Sequence, residues 1–301
     1  MPIDVTKAVG AELRPTTFSW SDDDVILYHL GIGAGDPPTD PRELRYTYEG
    51  DLVVLPTYAT IPQFSMMMSM TMSDGFDINL AQVLHGEHEI VLHGRLPTSG
   101  TVTQTGKVTG VFDKGKGAVA EMEIVSVLDK TGEPIFTNRA SIYIRGEGGF
   151  GGDPGPSSRT EAPDRPPDHI VESPTLPQQA LLYRMASGDR NPLHADPGFA
   201  AFGGFERPIL HGLCSYGIVG KAVVDHALDS APEQVAAFKA RFSGVVFPGE
   251  TVVTSVWDEG DHLAVTAESK ERGTSVLSNG VVVKLGSAPG SRSGSSRGAG
   301  R

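Results

Sequence analysis

The chain repeats itself, and the repeat limits the fold more than any single residue does. Tyr28-His29-Leu30-Gly31-Ile32-Gly33 is echoed by Tyr183-Arg184-Met185-Ala186-Ser187-Gly188. Pro56 heads an apolar segment as Pro208 does, and residues 96–102 echo residues 246–252. Each half runs in the same order: short helix, glycine-rich break, proline-led apolar helix, then strands. A helix that is apolar all round has to be covered, and an antiparallel sheet has a face to cover it with. Two α+β halves, each a sheet against a helix, are the expected content.

The expected first half is 1–145 and the second 169–285. Between them, residues 146–168 are rich in Gly, Pro, Ser and charge, which predicts a linker. Residues 286–301 hold almost only Gly, Ser, Ala, Pro and Arg and are expected to be disordered. In the first half, residues 18–30 read as a helix capped by Ser21, with Asp22, Asp23 and Asp24 suiting the dipole at its start. Residues 56–72 read as one apolar helix carrying Met66, Met67, Met68, Met70 and Met72. Strands follow at 87–96, 101–113, 117–128 and 134–145, separated by turn clusters, which predicts a meander. The second half opens on Thr175-Leu176-Pro177-Gln178, a capping-box pattern for a helix at 176–186. A long helix at 212–229 precedes strands at 237–247, 250–258, 261–271 and 274–285.

Two tempting motifs fail on context. The glycines between Gly31 and Gly35 follow a helix and run into Pro37-Pro38, so they do not form a dinucleotide loop. His88 and His93 are an odd number apart on a strand and face opposite sides, so a metal shared by His85, His88 and His93 is not expected.

The chemistry concentrates in 183–216. Asp189 and His194 lie five residues apart, with Asn191-Pro192 forcing a turn between them. A carboxylate and an imidazole on one rigid turn can grip a water and move its proton. The segment Gly188-Asp189-Arg190-Asn191-Pro192-Leu193-His194, followed by a Gly-rich loop and His211-Gly212 at the head of an apolar helix, resembles the MaoC-like (R)-specific enoyl-CoA hydratases, or hydratase 2. The resemblance covers most of residues 10–285. It implies a double hot-dog fold, with Asp189 and His194 catalytic, Asn191 supporting them, and the Gly212 amide facing the thioester oxygen. The first half has Ala34 and Thr39 where the second has Asp189 and His194, so one site per chain is expected. The implied substrate is an acyl-CoA thioester, with no cofactor and no metal. Arg184, Arg190 and Arg207, with Pro192 on the turn, are candidate contacts for it. Met66 and Met70 are candidates to line a deformable acyl tunnel. The residues leave fatty, branched and steroid-derived acyl groups open. His211 reads as a cap or a packing residue, and Cys214 as a small apolar residue inside the helix.

Composition narrows the alternatives. A net charge of −12 in 301 residues argues against nucleic-acid binding. No apolar run approaches the ~20 residues of a membrane helix. The single cysteine and the absence of an apolar leader set an expectation of a cytoplasmic protein. Hot-dog sheets associate by their edges, so a homodimer is expected. A dehydratase acting on an acyl carrier protein would use the same residues. A thioesterase would need an acid early on the long helix, where only Asp225 is available, well past its start. A non-catalytic acyl-CoA-binding protein would not need Asp189 and His194.

Overall fold

The computed structural model describes residues 3–70, 73–78, 82–156 and 162–286. The first half contributes β1 (Glu12–Trp20), β2 (Val83–Leu92), β3 (Gly100–Asp113), β4 (Gly117–Leu128) and β5 (Glu133–Arg145). The second contributes β6 (His169–Pro174), β7 (Val235–Phe242), β8 (Thr251–Asp258), β9 (His262–Ser269) and β10 (Thr274–Lys284). They form one 10-stranded antiparallel sheet in the order β1-β3-β4-β5-β2-β7-β10-β9-β8-β6. Each half has the same internal order, and the two meet where β2 pairs with β7, from Glu87 opposite Arg241 to Val91 opposite Ala237. The repeat in the sequence is therefore a repeat in topology, and the architecture is the double hot dog.

The sheet departs from a simple meander. β2 pairs with β5 and not with its successor β3, and β7 pairs with β10 and not with β8. The connection at 93–99 thus skips over β4 and β5. The edge strands β1 and β6 have no counterpart among the strands read from sequence. β1 contains Pro15 and is irregular between Leu13 and Thr16, which an edge tolerates. β6 is exposed or half-buried throughout, so it lacks a clean alternation.

The helices are α1 (Val5–Ala8), α2 (Asp22–Gly31), α3 (Pro41–Thr47), α4 (Phe64–Met70), α5 (Gln179–Ser187), α6 (Pro197–Phe202) and α7 (Gly212–Ala227). α7 is the central helix of the second half, with Cys214 through Gly220 all buried. The first half has no equal. Its expected helix at 56–72 is a 3₁₀ turn, Pro56–Thr60, followed by the short α4; Met72 lies outside the described residues. Pro62 is the cause, because it offers no N–H to the preceding turn and its ring crowds the carbonyl four residues back. The 3₁₀ turn packs against α7 and β2, while α4 packs on β1.

Two cores result. The larger joins α7 to both halves and includes Tyr28, Tyr58, Phe136, Tyr183, Tyr216 and Phe238. The smaller lies wholly in the first half, where Met66 and Met70 pack with Ile3, Leu13, Val108 and Met122.

Contacts from α2 and α3 let the first half position the second. Ser21 and Asp24 close a capping box at the start of α2. At the other end, a Cβ on Gly31 would stand 3.2 Å from Tyr183 Cα, so glycine lets α2 lie against α5. Gln179 Nε2 donates to Gly31 O at 2.6 Å across this contact. The expected capping box of α5 does not form. Thr175 Oγ1 instead donates to Glu250 O, and Gln179 Oε1 accepts from Leu176 N. Further along α7, Lys221 Nζ donates to Glu43 Oε1 of α3 at 2.6 Å and to Asp225 Oδ2 at 2.8 Å. Tyr46 OH donates to Asp225 Oδ1 at 2.7 Å.

The expected linker is anchored. Asp113 accepts from the Gly149 and Gly151 amides, and Phe150 packs against the smaller core. Arg165 pairs with Asp168 and Glu259. Residues 157–161 lie outside the described residues, as does the expected tail beyond Gly286.

Candidate active site

The site begins where α5 ends. Gly188 takes φ 71°, a left-handed cap that a side chain would resist. The next residues form two consecutive Asx turns: Asp189 Oδ1 accepts from Asn191 N at 2.9 Å, and Asn191 Oδ1 accepts from Leu193 N at 3.0 Å. These bonds leave Asp189 Oδ2 free to face inward. Arg184 Nη1 donates to Asn191 O at 2.9 Å and braces the turn. Pro192 then starts a 3₁₀ turn, Pro192–His194, that delivers His194 to the interior.

His194 has a fixed tautomer. Its Nδ1 lies 2.9 Å from Ile209 O, and a carbonyl can only accept. Nδ1 therefore carries the proton, and Nε2 presents a lone pair. That Nε2 is 4.0 Å from Asp189 Oδ2. The gap is too long for a direct hydrogen bond and short enough for one water to bridge. Burial lowers the His194 pKa, against the opposing pull of Ile209 O and Asp189, so the ring is neutral at pH 7.

His211 completes the cluster. Its Nε2 is also 4.0 Å from Asp189 Oδ2, and its ring stacks on His194 with centroids 3.7 Å apart and planes at 26°. Burial, and then His194 beside it, push its pKa down to about 2. Although His211 is the N-cap residue of α7, its side chain makes no capping bond. The sequence reading gave it only capping or packing; its place directly before Gly212 was the available signal.

Asp189, His194 and His211 are the residues that could hold a metal, since one ligand atom from each lies within 4.8 Å of the others. Zinc ligands at about 2.0–2.1 Å would stand roughly 3.4 Å apart. The observed spacings of 4.0 Å are wider than that.

Gly212 opens α7 and is exposed, so its amide, which has no intrahelical acceptor, is open to a ligand. A Cβ there would stand 3.2 Å from the Phe242 ring. The other candidates fall in three places. Arg190 and Pro192 are on the site's own turn, and Arg184 reaches it from the last turn of α5. Arg190 is exposed, with Nη1 3.3 Å from Met185 Sδ. Arg207 is exposed, stacks on Phe247 at 4.8 Å and pairs with Glu206. Met66 and Met70 are fully enclosed in the smaller core, to which no residue of the second half contributes. There they pack as core.

At the corresponding positions of the first half, Ala34 is buried and Thr39 exposed, and among the described residues no second cluster of this kind is found. His85 and His88 do meet, with Nε2 and Nδ1 3.3 Å apart, because an irregularity between His85 and Glu87 turns both to one side. His88 is held by Asn138, and His93 by Thr137 on its own side.

Residues 18–146 match the family described as the MFE-2 hydratase 2 N-terminal domain, and residues 158–280 match the MaoC like domain. The chain is 47% identical over 283 residues to the enoyl-CoA hydratase ChsH3 of Mycobacterium tuberculosis, covering 93% of this chain and 98% of that protein. The chain belongs to the MaoC-like hydratase 2 family. A probable enoyl-CoA hydratase 2 of Dictyostelium discoideum is 37% identical over 290 residues, covering 94% of this chain and 97% of that one. Among solved structures, a MaoC-like dehydratase of Phytophthora capsici superposes with a TM-score of 0.83 at 31% identity, over 95% of this chain and 100% of that one. In a hydratase 2 frame, the motif that carries the resemblance is the double Asx turn, and the helix behind it is α7.

Proposed function

We infer that the protein is an (R)-specific 2-enoyl-CoA hydratase. It adds water across the 2,3 double bond of a trans-2-enoyl-CoA and gives the (3R)-3-hydroxyacyl-CoA, reversibly. The observation that carries the reading is the free Asp189 Oδ2 facing the His194 Nε2 lone pair at 4.0 Å. Both groups are acceptors at neutral pH, so a water between them gives one proton to each hydrogen bond and turns its oxygen toward C3. As the C3–O bond forms, one of the two takes a proton from the water. The double-bond electrons move onto the thioester as an enolate, and that proton is returned to C2. The enolate oxygen needs a donor, and the open amide of Gly212 at the start of a 16-residue helix supplies one, with the dipole behind it. Arg184, Arg190 and Arg207 supply positive charge around this mouth for the phosphates of coenzyme A.

The test is hydration of crotonyl-CoA and longer enoyl thioesters, followed as lost absorbance without release of thiol. Asp189→Asn and His194→Ala should each lower kcat by about 10²–10⁴ while acyl-CoA still binds. Either variant working at the parent rate, or thiol release by the parent, would overturn the assignment. For assembly and location, the proposal is a cytoplasmic homodimer joined through the outer sheet edges; light scattering of the purified protein tests the dimer.

A further inference from the structure

Resting on the hydratase reading, we propose that His211 is a third partner of the attacking water. Its Nε2–H donates to one lone pair of the water oxygen, and the remaining lone pair is aimed at C3.

The cluster's geometry leads there. His211 is 2% exposed, yet among the described residues neither ring nitrogen has a well-formed hydrogen bond, only a weak contact with the Asp189 backbone. A buried donor left without an acceptor is costly, so the native position implies a partner that arrives with the reactants. Asp189 Oδ2, 4.0 Å from Nε2, favours a proton on that nitrogen. His194 has the opposite tautomer, with a lone pair on Nε2. The two stacked rings therefore offer one acceptor and one donor.

A water has four tetrahedral directions. Two protons go to Asp189 and His194, and one lone pair receives His211. Partners about 2.8 Å from a tetrahedral oxygen stand roughly 4.6 Å apart. The three atoms here lie within 4.8 Å of one another, which a single water can satisfy. The ring has little freedom, since it is held between His194 at 3.7 Å and Tyr183 at 5.0 Å. Its depressed pKa keeps it neutral over any working pH, so it acts as a donor of fixed direction. Because Gly212 follows directly, consecutive residues hold the nucleophile and the developing enolate oxygen.

Three substitutions separate this role from packing. His211→Phe keeps an aromatic in the slot and removes the donor. His211→Gln places an N–H near the reach of Nε2, and His211→Asn places one short of it. Expected is a fall in kcat of about 10- to 100-fold for His211→Phe, the worth of one oriented hydrogen bond, with KM changed less than about threefold. His211→Gln should recover about tenfold over His211→Phe, and His211→Asn should not. If His211→Phe fails to fold by circular dichroism, the Gln and Asn pair decides alone. A phenylalanine variant at the parent kcat, or Gln and Asn variants equally slow, overturns the proposal while leaving the hydratase reading standing. A parent protein that does not hydrate enoyl-CoA removes both.

Discussion

Lowering the pH from 7 to 5 should destabilise this protein far more than its carboxylates alone would. His29, His88 and His211 are buried, and burial pushes their pKa values down to about 4, about 4 and about 2. In the unfolded chain each titrates near 6.5. The sign follows from proton uptake. Below pH 6.5 the unfolded state binds protons that the folded state refuses, so stability present above 6.5 drains away as pH falls toward the folded values. Between pH 7 and pH 5 each histidine loses about 2 kcal/mol, roughly 6 kcal/mol for the three. A typical domain has only about 5–15 kcal/mol in total. His85 is shifted in the same direction, by burial and by His88. The carboxylates held low by hydrogen bonds, such as Asp113 and Asp168, add their loss only below pH 4. Urea denaturation followed by the fluorescence of Trp20 and Trp257 should show the midpoint falling steeply between pH 6.5 and 5. The slope should correspond to at least about three protons taken up on unfolding at pH 5, with His85 and His194 adding to it. A midpoint that is flat from pH 7 to 5 would refute the reasoning.

Two further outcomes test how the halves hold each other. Lys221→Met strands Glu43 and Asp225, all three side chains being 14% exposed, and should cost about 3 kcal/mol; a melting temperature within about 1 °C of the parent would contradict it. Gln179→Leu leaves Gly31 O with only the weak Cys214 Sγ donor at 3.4 Å and leaves Leu176 N without its partner. It should cost about 1–3 kcal/mol by thermal or urea melting, and a neutral result would place the α2–α5 contact's strength elsewhere.

The strands that read most cleanly from sequence are those with a strict period. β4 alternates buried and half-buried along nearly its whole length, and its ends were legible to the residue. β1 and β6 were not legible, because an edge strand is covered on fewer sides and its side chains need not alternate. Which strand pairs with which was hidden as well. A short connection normally signals a hairpin, but closing a sheet around a helix brings β2 beside β5. The methionines of 56–72 predict one helix, but Pro62 divides the segment into a 3₁₀ turn and the short α4. That Asp189, Asn191 and His194 share one turn is legible in the sequence, because a turn keeps sequence neighbours together in space. His211 was harder to see, since its meaning depends on a ring stacked on it from 17 positions away.

The seam between β2 and β7 joins surfaces that separate chains would have to find by diffusion. Here they are tethered in one polypeptide, so the pairing is set by an effective concentration and not by how much protein is present. A working unit that needs only this seam should keep its specific activity on serial dilution. Tethering also allows the two partners to differ, which identical copies cannot do.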